Sequence, residues 1–273
     1  MKYLLLILFY SLQSFAFIPK PLTIITKASE NGGAGVYLVE QEVLFQTSSE
    51  PLVLKEIWTI ESADKMKLVV TGTKELKDKL KWVFIYDNGF RTQFIENNKQ
   101  TKKIDIEFIE KYFHVRKTQD LQSLIVQSKA VPNSLFHKNV YKPGKDPDVI
   151  NSPFLRLARV GGVVTYAFGK ATDTLSESNA AYFFEQDMFT LKKFRIGTLE
   201  VTADKFSNFA RGLVFPRSRT VKWNENTVSI QTQQITPRTE KAASIGIEQS
   251  STHQFAEFGV YQSIIEEFYK RFR

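Results

Sequence analysis

Residues 51–72 read PLVLKEIWTIESADKMKLVVTG, and residues 82–94 read WVFIYDNGFRTQF. These two stretches decide the fold class. In the first, Leu52, Leu54, Trp58 and Ile60 fall in one phase of a two-residue period, with Glu56 among them. After Ala63-Asp64 the alternation resumes, and Met66, Leu68 and Val70 oppose Lys65, Lys67 and Val69. Successive side chains of a strand point to opposite faces, so this period marks a sheet with one face buried. In the second stretch Asn88-Gly89 separates two apolar runs. Both residues tolerate the positive φ of a tight hairpin turn, which makes the pair a strong local signal for antiparallel strands. Trp82, Phe84 and Tyr86 lie in one phase before the turn, and Phe90 and Phe94 follow it.

The pattern extends in both directions. Upstream, Val36–Phe45 has strand chemistry, preceded by a short helix within Phe17–Asn31 that Gly32, Gly33 and Gly35 terminate. Lys74–Leu80 reads as a charged spacer and Asn97–Lys103 as a turn. The period then changes. Ile106, Ile109, Glu110 and Phe113, and later Leu121, Leu124, Ile125 and Ser128, have helical spacing and predict short helices within Ile104–His114 and Gln119–Lys129. Residues 130–153 contain four prolines and little periodicity, the composition of a lid or hinge loop. Strands are predicted again at Gly162–Phe168, Ala180–Gln186, Met188–Ile196, Leu199–Phe206, Arg219–Trp223 and Thr227–Thr236. Pro237–Thr252 is polar, and Phe258, Tyr261, Ile265, Phe268 and Phe272 predict an amphipathic helix over 255–272. The expected architecture is mainly β with short α-helices: a strongly curved antiparallel sheet, an unclosed half-barrel, covering a helical plug.

Composition bounds the setting. The chain has 273 residues, a formal charge of +8, 42% apolar residues, 23 Phe, 10 Tyr and no cysteine. Its first residues, MKYLLLILFYSLQSFAFIPK, combine Lys2, an apolar run from Tyr3 to Tyr10, and small residues at Ser14 and Ala16. Those are the parts of a secretory signal peptide over 1–16, cleaved near Ala16–Phe17. The apolar run is short of the roughly 20 residues that span a bilayer, and Pro19 and Pro21 follow it. The remainder, 17–273, is expected to be one domain of a periplasmic protein. Without cysteine the fold has no disulfides, and lipid attachment at a mature N-terminal cysteine is excluded. The basic balance favours anionic surfaces.

Candidate chemistry is sparse. His114, His137 and His253 have no partners at ligand spacing, so no metal site is expected. Gly32-Gly33-Ala34-Gly35 lies between helix and strand, the reverse of the order a phosphate loop requires. Glu56 and Glu61 flank Trp58, a pattern seen in glycosidases; exposed carboxylates on a strand are the simpler reading. Basic residues interleave with aromatics around Trp82 and around Phe215–Arg219, but an exported protein meets little nucleic acid, so none is expected as a partner. Arg217, Arg219 and Lys222 are candidate contacts for an anionic head group. The remaining feature is the row of large apolar residues Trp58, Met66, Leu68, Val70, Trp82, Phe84 and Tyr86. They form either a packed core or the lining of a cavity for an apolar ligand.

The order of these elements resembles the LolA/LolB superfamily of periplasmic lipoprotein carriers and receptors. The resemblance covers roughly Leu22–Ile235 and is carried by the helix before the first strand, the two stretches quoted above, the mid-chain helices, and the late strands around LEVTADKF (199–206) and RTVKWNENTVSIQTQQI (219–235). It implies an unclosed antiparallel barrel with an apolar cavity for acyl chains. It also implies a non-enzymatic role in lipoprotein localisation or lipid transport, with no cofactor, a lipid or lipoprotein acyl chain as ligand, an envelope protein as possible partner, and transient membrane-surface contact. The carrier latches its lid with an arginine on an early strand. Here no arginine precedes Arg91, so no residue matches that role. The alternatives are an interaction protein of the cell envelope with a packed sheet face, and a hydrolase of the envelope.

Overall fold

The computed structural model describes residues 18–46, 51–95, 98–137, 152–171, 179–239 and 251–273. The signal peptide expected over 1–16 lies outside them, as does most of the expected lid or hinge loop at 130–153, which is described only at 130–137 and 152–153.

Among the described residues fourteen strands form one continuous sheet. The first wing comprises β1 (Val36–Phe45), β2 (Leu52–Ser62), β3 (Lys65–Gly72), β4 (Leu80–Asp87), β5 (Phe90–Ile95) and β6 (Asn98–Lys103). The second comprises β7 (Leu155–Val160), β8 (Val163–Phe168), β9 (Ala181–Glu185), β10 (Leu191–Ile196), β11 (Leu199–Asn208), β12 (Val214–Trp223) and β13 (Asn226–Arg238). Within each wing neighbours in sequence pair antiparallel, because short turns such as Asn88-Gly89, both at positive φ, return each strand beside its predecessor. Pairing of β1 with β13 joins the wings. β6 and β7 are the two ends of the sheet, so the half-barrel is unclosed.

One strand breaks the meander. β14 (Ser251–Gln254) enters the open end of the β4–β5 hairpin. Near the turn β4 and β5 pair directly, from Asp87↔Phe90 to Phe84↔Gln93. Beyond that point they part. His253 and Gln254 pair antiparallel with Lys81 and Leu80, while Ser251 and Thr252 pair parallel with Phe94 and Ile95.

Among the described residues four α-helices serve the sheet: α1 (Pro21–Glu30), α2 (Ile109–Phe113), α3 (Thr118–Gln127) and α4 (Gln262–Arg271). Pro21 suits the start of α1, where its missing N–H has no helical partner anyway. α4 places Ile265, Phe268 and Tyr269 on its buried side. Phe268 meets Phe45 edge-on at 5.5 Å and Trp223 at 6.0 Å. Phe272, just beyond the helix, meets Trp223 at 4.9 Å. α2 brings Tyr112 against Phe194 and Phe113 against Phe215 on the second wing. Burying such side chains contributes about 1.5–3 kcal/mol each, which compensates for helices as short as α2.

Several boundaries differ from expectation. Asn98–Lys103, expected as a turn, is the edge strand β6. Its residues are exposed and polar, so no apolar alternation advertises it. The C-terminal helix begins at Gln262 rather than 255, because Phe255 and the residues before it serve β14 and the turn that follows. The helix expected within Ile104–His114 is confined to Ile109–Phe113. Strand β12 reaches back to Val214, and β7, over Leu155–Val160, has no counterpart among the expected strands, which resume only at Gly162.

Candidate functional site

The strand registers place all seven candidate apolar residues on the inner face. Trp58, Leu68 and Phe84 form one cross-strand row, Met66 and Tyr86 the next, and Val70 and Trp82 a third. The interior does not treat them alike. All seven are buried in the hydrophobic core, but five of them, Trp58, Met66, Leu68, Val70 and Tyr86, line no part of the groove described next. Phe108 fills the space above them, stacking on Tyr86 at 4.7 Å and meeting Trp58 at 6.2 Å. Trp82 and Phe84, toward the open end of the β4–β5 hairpin, belong to the core and also border a cavity of about 570 Å³.

This cavity is a groove between β4, β5, β14 and α4. Its apolar wall is Trp82, Phe84, Ile95, Phe255 and Tyr269, and its polar groups include Arg91, Gln93, Gln254, Glu266 and Lys270. The wall is held from behind. Trp82 packs on Tyr269 at 5.0 Å and on Phe258 at 5.8 Å, and its Nε1 donates to Gln254 Oε1 at 3.0 Å. Thr252 Oγ1 accepts from the Val83 backbone N–H at 3.1 Å. Phe255 is 80% exposed at the mouth. A volume of this size falls within the ~300–1,000 Å³ typical of small-molecule sites, which are mostly apolar with a few placed polar groups.

Sequence reasoning missed a second constellation, a buried network of charged groups in the middle of the interior. Arg273 Nε donates to Glu56 Oε1 at 3.0 Å. Arg219 donates to Glu110 Oε1 at 2.8 Å and to Gln41 Oε1 at 2.6 Å. Glu56 Oε2 also accepts from Gln41 Nε2 at 2.6 Å and Trp58 Nε1 at 3.0 Å. Arg273 Nη1 lies 3.4 Å from Glu110 Oε1, and His114 Nε2 lies 3.4 Å from Glu110 Oε2. All these residues are buried. Burial pushes the Glu110 carboxyl up, but Arg219, the contact with His114, and Arg273 outweigh it and hold the group well below the usual carboxylate range. Burial pushes His114 down, against the pull of Glu110, so the imidazole is neutral at pH 7. The network ties β1, β2, β12, α2 and the segment after α4 to one another. A signal for it existed: Gln41, Glu56 and Arg219 each sit in the apolar phase of their strands.

Two expectations about charged residues change accordingly. Glu56, taken as an exposed strand carboxylate, is fully buried. Glu61 instead pairs with Lys65 at 3.6 Å, so the two carboxylates that flank Trp58 do not converge on one site. The basic trio separates as well. Arg219 is interior, whereas Arg217 and Lys222 are exposed, with Arg217 held by Ser207 Oγ at 2.9 Å and lying 5.2 Å from the Phe209 ring centre. Among the described residues no group of three or more His, Asp or Glu could hold a metal ion, and no helix is long and apolar enough to cross a membrane.

A half-open antiparallel barrel with helices in its concavity is a LolA-like fold. The chain resembles the crystal structure of a LolA superfamily protein from Nitrosomonas europaea, with a TM-score of 0.53 and 10% identity over 85% of this chain and 99% of that one. It also resembles a DUF1329 family protein from Desulfovibrio piger, with a TM-score of 0.50 and 6% identity over 84% and 97%. At such identities the likeness is one of fold. No protein-family model matches the chain, and no curated protein matches it.

Proposed function

We propose that this protein is a non-enzymatic carrier of the periplasm that binds the acyl chain of a lipid or lipoprotein in the groove between β4, β5, β14 and α4. The observation that carries the reading is the groove itself: an apolar trough of about 570 Å³ bordered by Trp82, Phe84 and Tyr269 and open at Phe255. An alkyl chain is recognised by such a surface through burial alone, at about 0.8 kcal/mol per methylene group. The LolA-like fold supports the same reading, and so does the expected signal peptide. Of the seven candidate residues, Trp82 and Phe84 would touch the chain. Trp58, Met66, Leu68, Val70 and Tyr86 would support the wall from within.

Native mass spectrometry of protein isolated from the periplasm tests this. The expected result is a population carrying lipid mass, together with uptake of a fluorescent fatty acid that Trp82→Ala weakens. An apo mass with no uptake would remove the proposal. It would favour a second reading that the packed centre of the sheet already supports, a structural or interaction protein of the envelope.

A further inference from the structure

The groove has a charged end. Arg91 and Lys270 line it, and Lys102 sits directly across the β5–β6 pair from Arg91. Arg91 and Lys102 also border a smaller hollow beside it, with Gln93, Gln100 and Thr101. Three cations therefore gather at one end of an apolar trough. Like charges directly opposite on neighbouring strands repel, and among the described residues no side-chain carboxylate lies within ion-pair distance of any of the three.

Main-chain oxygens supply part of the compensation. Arg91 donates to the main-chain oxygens of Tyr269 and Arg273, and Lys102 to that of Lys270, at and just beyond the C-terminal end of α4. Such contacts suit the negative end of a helix. They engage both N–H groups of Arg91 Nη1 and one donor of Lys102, and among the described residues none pairs with the Lys270 ammonium. Glu266, the carboxylate that lines the same groove, is engaged by Gln262 one turn back. That amide leaves the charge of Glu266 in place, but three cations stand against this one side-chain carboxylate, so the side chains of the rim are net positive. Partial desolvation of its ammonium, Arg91 and Lys270 all push Lys102 down from its ordinary value, which nearby Asp105 only partly offsets; an anion arriving there would relieve the repulsion.

We propose that the groove selects an amphiphile with an anionic head, a carboxylate or a phosphate monoester, whose head is held by Lys270 and Lys102 beside Arg91 while its chain lies along Trp82, Phe84 and Tyr269. This rests on the acyl-chain reading above and narrows it from any alkyl ligand to an acidic one. The aromatic wall supplies affinity for the chain, and the cations distinguish its head.

Calorimetric titration of the full chain with dodecanol, laurate, dodecyl phosphate and inorganic phosphate separates the possibilities. We expect laurate and dodecyl phosphate to bind about tenfold or more tighter than dodecanol, equivalent to roughly 1.4 kcal/mol. Added salt should shrink the margin, because exposed charges are screened. In Lys102→Gln/Lys270→Gln, both exposed positions, the margin should collapse because laurate and dodecyl phosphate weaken toward the affinity that the same variant shows for dodecanol. Equal affinity for dodecanol and laurate would overturn the proposal and leave the acyl-chain reading standing. An unchanged margin in the double variant would overturn the assignment to these residues. Inorganic phosphate binding as tightly as dodecyl phosphate would overturn it too, since the cluster would then be a site for free anions. Failure of every dodecyl ligand would remove both proposals.

Discussion

Replacing Arg273 by alanine should be among the most damaging single changes available in this chain. The guanidinium is buried, donates to Glu56 Oε1 at 3.0 Å and lies 3.4 Å from Glu110 Oε1. It also lies 4.7 Å from the Phe268 ring centre and 5.7 Å from that of Trp58. Removing one partner of a buried ion pair costs about 3–5 kcal/mol, because the remaining charge stays uncompensated in a poorly polarisable interior. With a urea m-value of about 2–3 kcal/mol/M, the unfolding midpoint should fall by about 1–2.5 M. Arg271 is the internal control. It forms a fork to Glu107, with Nε–Oε2 and Nη2–Oε1 both at 3.0 Å, and reaches Glu267, but it is about one-third exposed. Solvent screening should hold the cost of Arg271→Ala near 1 kcal/mol or less. The assay is urea unfolding followed by tryptophan fluorescence, which Trp58 and Trp223 report from the core. An Arg273→Ala midpoint within experimental error of that of Arg271→Ala would refute the reasoning, since it would show that Glu56 finds another partner or takes a proton at little cost.

Acid should weaken the fold in two steps of the same sign. The His114 pKa is lowered on folding, so the unfolded chain binds the proton more readily and stability falls as pH drops below about 6.5; the Glu110 pKa is also lowered, so its contribution is lost below about 4.3. Urea midpoints at pH 7.5, 5.5 and 4.0 should decline in order, and His114→Phe, whose ring would keep the stacking on Phe215, should flatten the first step; a midpoint that rises at pH 5.5 contradicts the assignment. Phe255→Ser should leave the melting temperature within about 1 °C, because the side chain is 80% exposed. The same variant should weaken fatty-acid uptake several-fold, and unchanged uptake would place the chain elsewhere in the groove.

The sequence carried the two wings of the sheet well because their signal is local. Met66, Leu68 and Val70 alternate with their neighbours, and Asn88-Gly89 fixes the turn beside them, so strand, register and buried face follow from about twenty residues. β6 escaped because an edge strand with both faces in water has no apolar phase to show. β14 escaped for a different reason. Four residues are too few for a period, and what makes them a strand is a slot between Lys81 and Phe94, far away in the chain. The candidate site divided along similar lines. The seven aromatic and aliphatic residues could be assigned to one face from phase alone. Which of them met a cavity depended on where Phe108 and α4 came to rest, and that is a matter of tertiary packing. Glu56 was visible as a polar residue in an apolar phase; its meaning depended on Arg273, 217 residues away.

The insertion of β14 into the mouth of the β4–β5 hairpin also constrains the order in which the molecule assembles. A hairpin around Asn88-Gly89 closes locally and fast, and with nothing to stop it the paired register would continue past Phe84↔Gln93 toward Trp82 and Ile95. The native arrangement requires those ends to stay apart until a segment more than 150 residues downstream arrives, a contact of high loop-closure cost. The groove is therefore among the last features to form. A nascent chain lacking its final two dozen residues could complete much of the second wing while its first wing stayed unlocked at that corner. Refolding experiments would find the groove maturing on a slower clock than the sheet that carries it.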